Sequence, residues 1–162
     1  QECADLMNKI VEAGHAIGVN SYSEDYGVVY ADVESFVNDF NTAKELILDA
    51  TGIDCKIFRF LGGSVNDLNA KVRDDIIKRM TSDGYVYFDW NVDSGDWLGA
   101  NYTTMDNNVL ANVAQEERAV ILFHDGSLNT TLVLEDIINA LEADARGFTF
   151  RTITSDVKPL QF

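Results

Sequence analysis

Proline is almost missing from this chain: one residue, Pro159, stands among 162. Helices and strands ahead of it can run without an imposed break, and no proline-rich spacer divides the sequence. Histidine and cysteine are as scarce, with two of each. Cys3 and Cys55 have neither the density of a disulfide framework nor the paired spacing of a zinc ribbon, which leaves one bridge or two thiols as the alternatives. Positive charge is also short, with 12 Lys and Arg against 27 Asp and Glu and a net charge of -15. Such a surface repels a phosphate backbone, whose binding depends on Lys and Arg, so nucleic acid is excluded as a partner while sugars meet no such penalty. No apolar run approaches the ~18 residues of a membrane span. The first residues lack the basic-then-apolar pattern of a signal peptide.

What is present is 46% hydrophobic residues, enough for one substantial core, and a single domain over residues 1–162 is expected. Apolar residues recur at helical spacing in five stretches: Cys3 to Ala13, Val33 to Ala50, Leu68 to Met80, Met105 to Ala114 and Leu132 to Leu141. The second is the clearest, with Asp32 as N-cap and Gly52 just beyond its end. Asp67 is the expected cap of the third. Short runs rich in β-branched and aromatic residues alternate with them, at "HAIGV", "KIFRF", "YVYFDW", "AVILFH" and "FTFRTI". This alternation predicts an α/β fold with about five parallel strands joined by helical crossovers.

Polar residues follow these strands where such folds place their sites. Asn20, Ser21 and Glu24 come after the first; Arg59 closes the second and leads into Gly62, Gly63 and Ser64; Asn91, Asp93 and Asp96 follow the third; His124 and Asp125 follow the fourth. Loops at strand C-termini converge on one face in parallel α/β folds, so these four are expected to share a crevice. Trp90 is expected to be mostly core and Trp97 exposed enough to stack on a sugar. Asp25, Asp32, Glu34 and Asp39 read most simply as a solvated face, and His15 as structural.

Taken in order, "GHAIGVNSYSEDY", "FRFLGGSVN", "WNVDSGDW" and "ILFHDG" resemble the motifs of the polysaccharide deacetylases of the NodB-homology type, carbohydrate esterase family four. The resemblance covers nearly all of the chain. It implies a partial or distorted (β/α) barrel, a divalent metal, usually zinc, and hydrolysis of N- or O-acetyl groups on chitin-like, peptidoglycan or xylan chains. It also implies a secreted or cell-surface location.

Residue by residue, the resemblance places the family's metal-binding His-Ser/Thr-x-x-His on Asn20 to Glu24, with both imidazoles replaced. Arg59 would hold the base carboxylate, and the Gly62 N–H would face the oxyanion, with Leu61 where a proline is common. Asp96 would tune the general acid, Trp97 would wall the sugar groove, Leu122 would line the acetyl-methyl pocket, and His124 would protonate the departing amine. The family's Asp-Asp motif, source of the general base and a metal ligand, has no match here. On this reading the chain starts about where the family's second helix would be, without two strands and a helix of the usual barrel. An N-terminal segment, a partner or a second copy of the chain is then expected to cover the open strand edge.

A catalytic zinc needs three protein ligands and an open position, and an Asn amide suits harder, oxygen-seeking ions better. Without the metal a site loses several kcal/mol of transition-state stabilisation. Loss of the base removes roughly another hundredfold. Two readings follow: a deacetylase by descent with activity weakened or lost, or a non-catalytic carbohydrate-binding or interaction module using the groove at Trp97.

Overall fold

A computed structural model of the chain describes residues 2–162, and these divide into two compact units, one of residues 2–89 with 152–162 and the other of residues 90–151.

The first unit opens with α1 (Glu2–Glu12), continues through the short α2 (Tyr26–Val29) to α3 (Val33–Thr51), and then runs β1 (Ile57–Phe58), α4 (Arg73–Ser82) and β2 (Val86–Tyr87). α3 forms where the apolar stripe predicts it. The Asp32 carboxylate accepts from Ser35 N–H at 2.8 Å, a cap worth ~1 kcal/mol. Gly52, left-handed at φ 74°, ends the helix and donates its N–H to Leu48 O at 2.8 Å. Its buried face, Phe36, Val37, Phe40 and Ile47, packs into a core that includes Phe58, Phe60, Ile76, Met80 and Tyr87. Aromatic rings dominate it: Phe60 is fully buried, 5.4 Å from both Phe36 and Phe58 and edge-on to Tyr87 at 5.2 Å. Each such ring stabilises the unit by ~2 kcal/mol or more through apolar burial alone.

β1 and β2 pair in parallel, Ile57 opposite Val86 and Phe58 opposite Tyr87, and Val19 joins β1 through a single parallel bridge. Strand alternation puts Phe58 and Phe60 into the core and leaves Arg59, between them, half-buried. α4 starts five residues later than the apolar spacing suggests. Asn66 Oδ1 accepts from Leu68 N–H and Asn69 N–H at 2.9 and 3.1 Å, and this local turn outcompetes the helix that Asp67 was expected to cap.

The second unit begins with β3 (Val92–Asp93), passes through a single 3-10 turn at Asp96–Leu98 into α5 (Tyr102–Val113), and ends with β4 (Ile121–Leu122) and α6 (Leu128–Glu142). β3 and β4 pair in parallel, Val92 opposite Ile121 and Asp93 opposite Leu122. Val92, Met105, Val109, Val133 and Ile137 form its core, each at most 1% exposed. Both helices start earlier than their apolar stripes, because Asn101 and Ser127 cap them through Thr104 N–H and Thr130 N–H.

The architecture is α/β with short parallel strands, as expected, and with Val19 counted five segments take part in parallel pairing. Their membership differs from the sequence reading. "FTFRTI" forms no strand, and the residues after "YVYFDW", read as a loop, include β3, so Asp93 lies in a strand. β1 and β2 make one two-stranded sheet and β3 and β4 another, with no closed barrel among the described residues. Cys3 and Cys55 are free thiols, the first exposed and the second buried.

Candidate active site

In the second unit, β3 and the following 3-10 turn present Asp96, and the end of β4 presents His124. The Asp96 carboxylate is buried and saturated. Oδ1 accepts from Trp97 N–H at 2.8 Å and lies 2.7 Å from His124 Nδ1; Oδ2 accepts from His124 N–H at 2.6 Å and from the Thr130 hydroxyl at 2.7 Å. Burial by itself would raise this carboxyl, but the hydrogen bonds from Thr130 and His124 outweigh it and hold it at about 2. An ionised acceptor of this kind fixes His124 with its proton on Nδ1, which leaves Nε2 as the nitrogen able to exchange a proton with a ligand. The Trp97 ring stands 5.3 Å from the imidazole and is 79% exposed, a flat apolar face beside a polar group. Leu122 is buried in β4, and Trp90 is half-buried, donating its indole N–H to Asp93 at 3.2 Å.

In the first unit, the loop 20–24 follows the Val19 bridge. Asn20 and Glu24 are exposed, and the loop is organised by Asp39 of α3. Asp39 Oδ2 accepts from the Ser21 hydroxyl and Tyr22 N–H, and Oδ1 from Ser23 N–H, each at 2.9 Å. Burial would raise this carboxyl, yet these donors hold it below the ordinary carboxylate range. Asp39 is therefore not part of a solvated face: it is 8% exposed and ties the loop to the helix. Glu24 closes the turn at φ 54°, a left-handed backbone unusual for its type, and donates its N–H to Ser21 Oγ at 3.0 Å. Asp25 next caps α2 through Gly27 N–H, another acid with a structural task.

Asn20 and Glu24, expected at metal-ligand positions, offer an amide and one carboxylate, the neighbouring Asp39 is already committed to three donors, and among the described residues no three His, Cys, Asp or Glu side chains group together; this set does not fit a zinc centre.

Arg59 follows β1, its backbone N–H donating to Val19 O at 2.9 Å. The chain then makes a tight turn in which Gly63 N–H donates to Phe60 O at 2.9 Å. Gly62, its third residue, has φ 73°, the mark of a type II turn that calls for glycine. A Cβ there would also meet the Tyr26 hydroxyl at 2.7 Å. Beyond the turn, Asp89 accepts from Ser64 N–H at 2.8 Å and from its hydroxyl at 2.6 Å.

Each unit thus groups its own share of the predicted residues: Asn20, Glu24, Arg59 and Gly62 in the first, Asp96, Trp97, Leu122 and His124 in the second. Sequence reasoning missed Asp89 and Thr130 and assigned Asp39 to a solvated face; each of the three bonds residues 16 or more positions away. Thr130, in the first turn of a helix following the histidine, carries no local signal. An acid inside the apolar stripe of α3 was the available sign for Asp39.

No family model matches the chain. In sequence it is 27% identical over 164 residues to YheN of Bacillus subtilis, whose name places it among polysaccharide deacetylases, with 98% of this chain and 56% of that protein covered. It is 26% identical to the peptidoglycan-N-acetylglucosamine deacetylase of Bacillus cereus, over 93% of this chain and 52% of the relative. The chain therefore spans about half the length of the curated relatives it matches. In structure it superimposes on the catalytic domain of peptidoglycan N-acetylglucosamine deacetylase from Eubacterium rectale with a TM-score of 0.92 at 26% identity, covering 99% of this chain and 75% of that one.

Proposed function

We propose, from the premise that the chain is a relative of the polysaccharide deacetylases of carbohydrate esterase family four, that it is a deacetylase by descent which keeps the proton-donating half of the chemistry and has weakened or lost the rest. The substrate class is acetylated polysaccharide or oligosaccharide, of the chitin-like, peptidoglycan or xylan kind, met at a secreted or cell-surface location.

The observation that carries this reading is the Asp96–His124 pair. Deacetylation adds water to the acetyl carbonyl, breaks the bond to the sugar's nitrogen or oxygen, and needs a proton delivered to that leaving atom. His124 Nε2 is the group for it, because Asp96 holds Nδ1 at 2.7 Å and stabilises the imidazolium that precedes delivery. A carboxylate with four donors cannot rotate away, so the imidazole keeps its orientation. By the resemblance each unit carries its own share of the roles: in the first, Gly62 N–H would serve an oxyanion and Arg59 a base carboxylate; in the second, Leu122 would meet an acetyl methyl group. In the family a divalent metal supplies the activated water. Asn20 and Glu24, at the positions the resemblance gives to its ligands, do not fit zinc.

The test separates descent from activity. Zinc titrated calorimetrically into this chain should show no tight site, and Asn20→His with Glu24→His, which supplies two of the three ligands a zinc centre needs, should raise zinc affinity measurably. Tight stoichiometric zinc in the unmodified chain, lost in Glu24→Ala, would overturn the reading of the loop.

Trp97 favours a second reading, a carbohydrate-binding module without turnover. A ring 79% exposed beside an imidazole is the surface a pyranose face packs against. Binding of chito-oligosaccharide that quenches tryptophan fluorescence, falls about tenfold in Trp97→Ala and releases no acetate would establish it.

A further inference from the structure

The Leu61–Gly62 peptide is gripped from one side. Its carbonyl, Leu61 O, accepts from the Tyr30 hydroxyl at 2.8 Å and from Asn66 Nδ2 at 3.4 Å. The next carbonyl, Gly63 O, accepts from Asn66 Nδ2 at 2.8 Å and Asn69 Nδ2 at 2.9 Å. Tyr30 is itself packed into the core, 7% exposed, with its ring 6.2 Å from Phe36 and 6.5 Å from Phe60. Burial pushes its hydroxyl well above the ordinary tyrosine range, so it stays a donor at any working pH.

A trans peptide is one rigid plane with C=O and N–H on opposite edges, so holding Leu61 O sets the direction of Gly62 N–H. Type I and type II turns differ by a half-rotation of this central peptide. Gly62, free of a Cβ, is the residue at which that rotation is least hindered sterically. Among the described residues Gly62 N–H donates to no protein acceptor, and Gly62 is exposed. A carbonyl that accepts hydrogen bonds also makes its own N–H a stronger donor.

We infer that Tyr30, assisted by Asn66, is a positioning residue that locks the Leu61–Gly62 peptide in its type II orientation and so presents Gly62 N–H to an oxyanion or carboxylate ligand of the acetate class. This rests on the proposed role of Gly62 as the oxyanion donor. Tyr30 and Asn66 do not touch the ligand: their effect passes through the peptide plane.

The experiment is nuclear magnetic resonance of the 15N-labelled chain, with sodium acetate as the probe. In the unmodified chain the turn gives a strong cross-relaxation signal from Leu61 Hα to Gly62 N–H, and acetate shifts the Gly62 amide. In Tyr30→Phe, which keeps the packed ring, the Hα signal should weaken, an amide-to-amide signal should grow, and acetate affinity at Gly62 should fall roughly fivefold, as for one lost hydrogen bond. Asn66→Ala should act the same way, with a smaller effect on the turn. A merely structural Tyr30 would lower the melting temperature and leave both Gly62 signatures in place, and that result overturns the inference. If acetate leaves Gly62 unmoved in the unmodified chain while Tyr30→Phe still reorients the peptide, the locking stands and the oxyanion role of Gly62 falls.

Discussion

Two loops in this chain are each built around a buried aspartate, and they have kept different things. Around Asp96 the carboxylate still serves an imidazole: two of its four acceptor positions go to His124 and a third to Thr130. Around Asp39 the carboxylate serves only the loop itself, taking Ser21, Tyr22 and Ser23 and leaving Asn20 and Glu24 exposed at its ends. The difference teaches that one buried carboxylate can be spent on closing a loop while another is spent on orienting a side chain. The first loop is thus closed by its own hydrogen bonds, and the second orients an imidazole.

The largest expected effect breaks the second loop. Asp96→Ala strips the acceptor from Thr130, from His124 Nδ1 and from two backbone N–H groups, and should cost ~3 kcal/mol in urea unfolding. Loss under 1 kcal/mol would mean the network is not held as described.

Acid should act on the same carboxyl. Because the fold holds Asp96 at about 2 against an ordinary value of 3.8, its contribution is complete above pH ~4 and is lost as pH falls towards 2. The amount is ~2 kcal/mol, and it is the part of the acid-unfolding curve that should be missing in Asp96→Asn. A variant whose stability falls as steeply as the parent's between those limits would remove the assignment.

For the first loop, Asp39→Ala should cost ~2 kcal/mol and speed hydrogen exchange at the Tyr22 and Ser23 amides, with no such change at His124. Addition of zinc should not restore their protection.

The smallest effect is a gain. Glu24→Gly relieves a left-handed backbone at φ 54° and should stabilise the chain by ~1 kcal/mol. A loss instead would show that the Glu24 side chain makes a contribution larger than its strain.

Much of this was legible in the residues. Asp32 and Gly52 bracket α3 as their types predict, and the motif order placed Asp96 with His124 before any distance was known. The strands were legible as runs but not as ladders. The apolar run at "FTFRTI" carries the same β-rich composition as "KIFRF" yet forms no strand ladder among the described residues, since pairing depends on a partner's register that one run cannot encode. Helix starts shifted wherever a side chain, Asn66, Asn101 or Ser127, bonded the backbone outside the apolar stripe. Asp39 was misread because charge suggests solvent, and only the loop brought to it by the fold supplies its three donors.

On the proposed reading His124 remains a proton donor while Asn20 and Glu24 do not fit zinc. Acetate release from N-acetylated chito-oligosaccharide, followed with and without excess zinc, tests it most directly. The account predicts no more than trace release, unchanged by zinc; repeated zinc-dependent turnover that disappears in His124→Ala would contradict it.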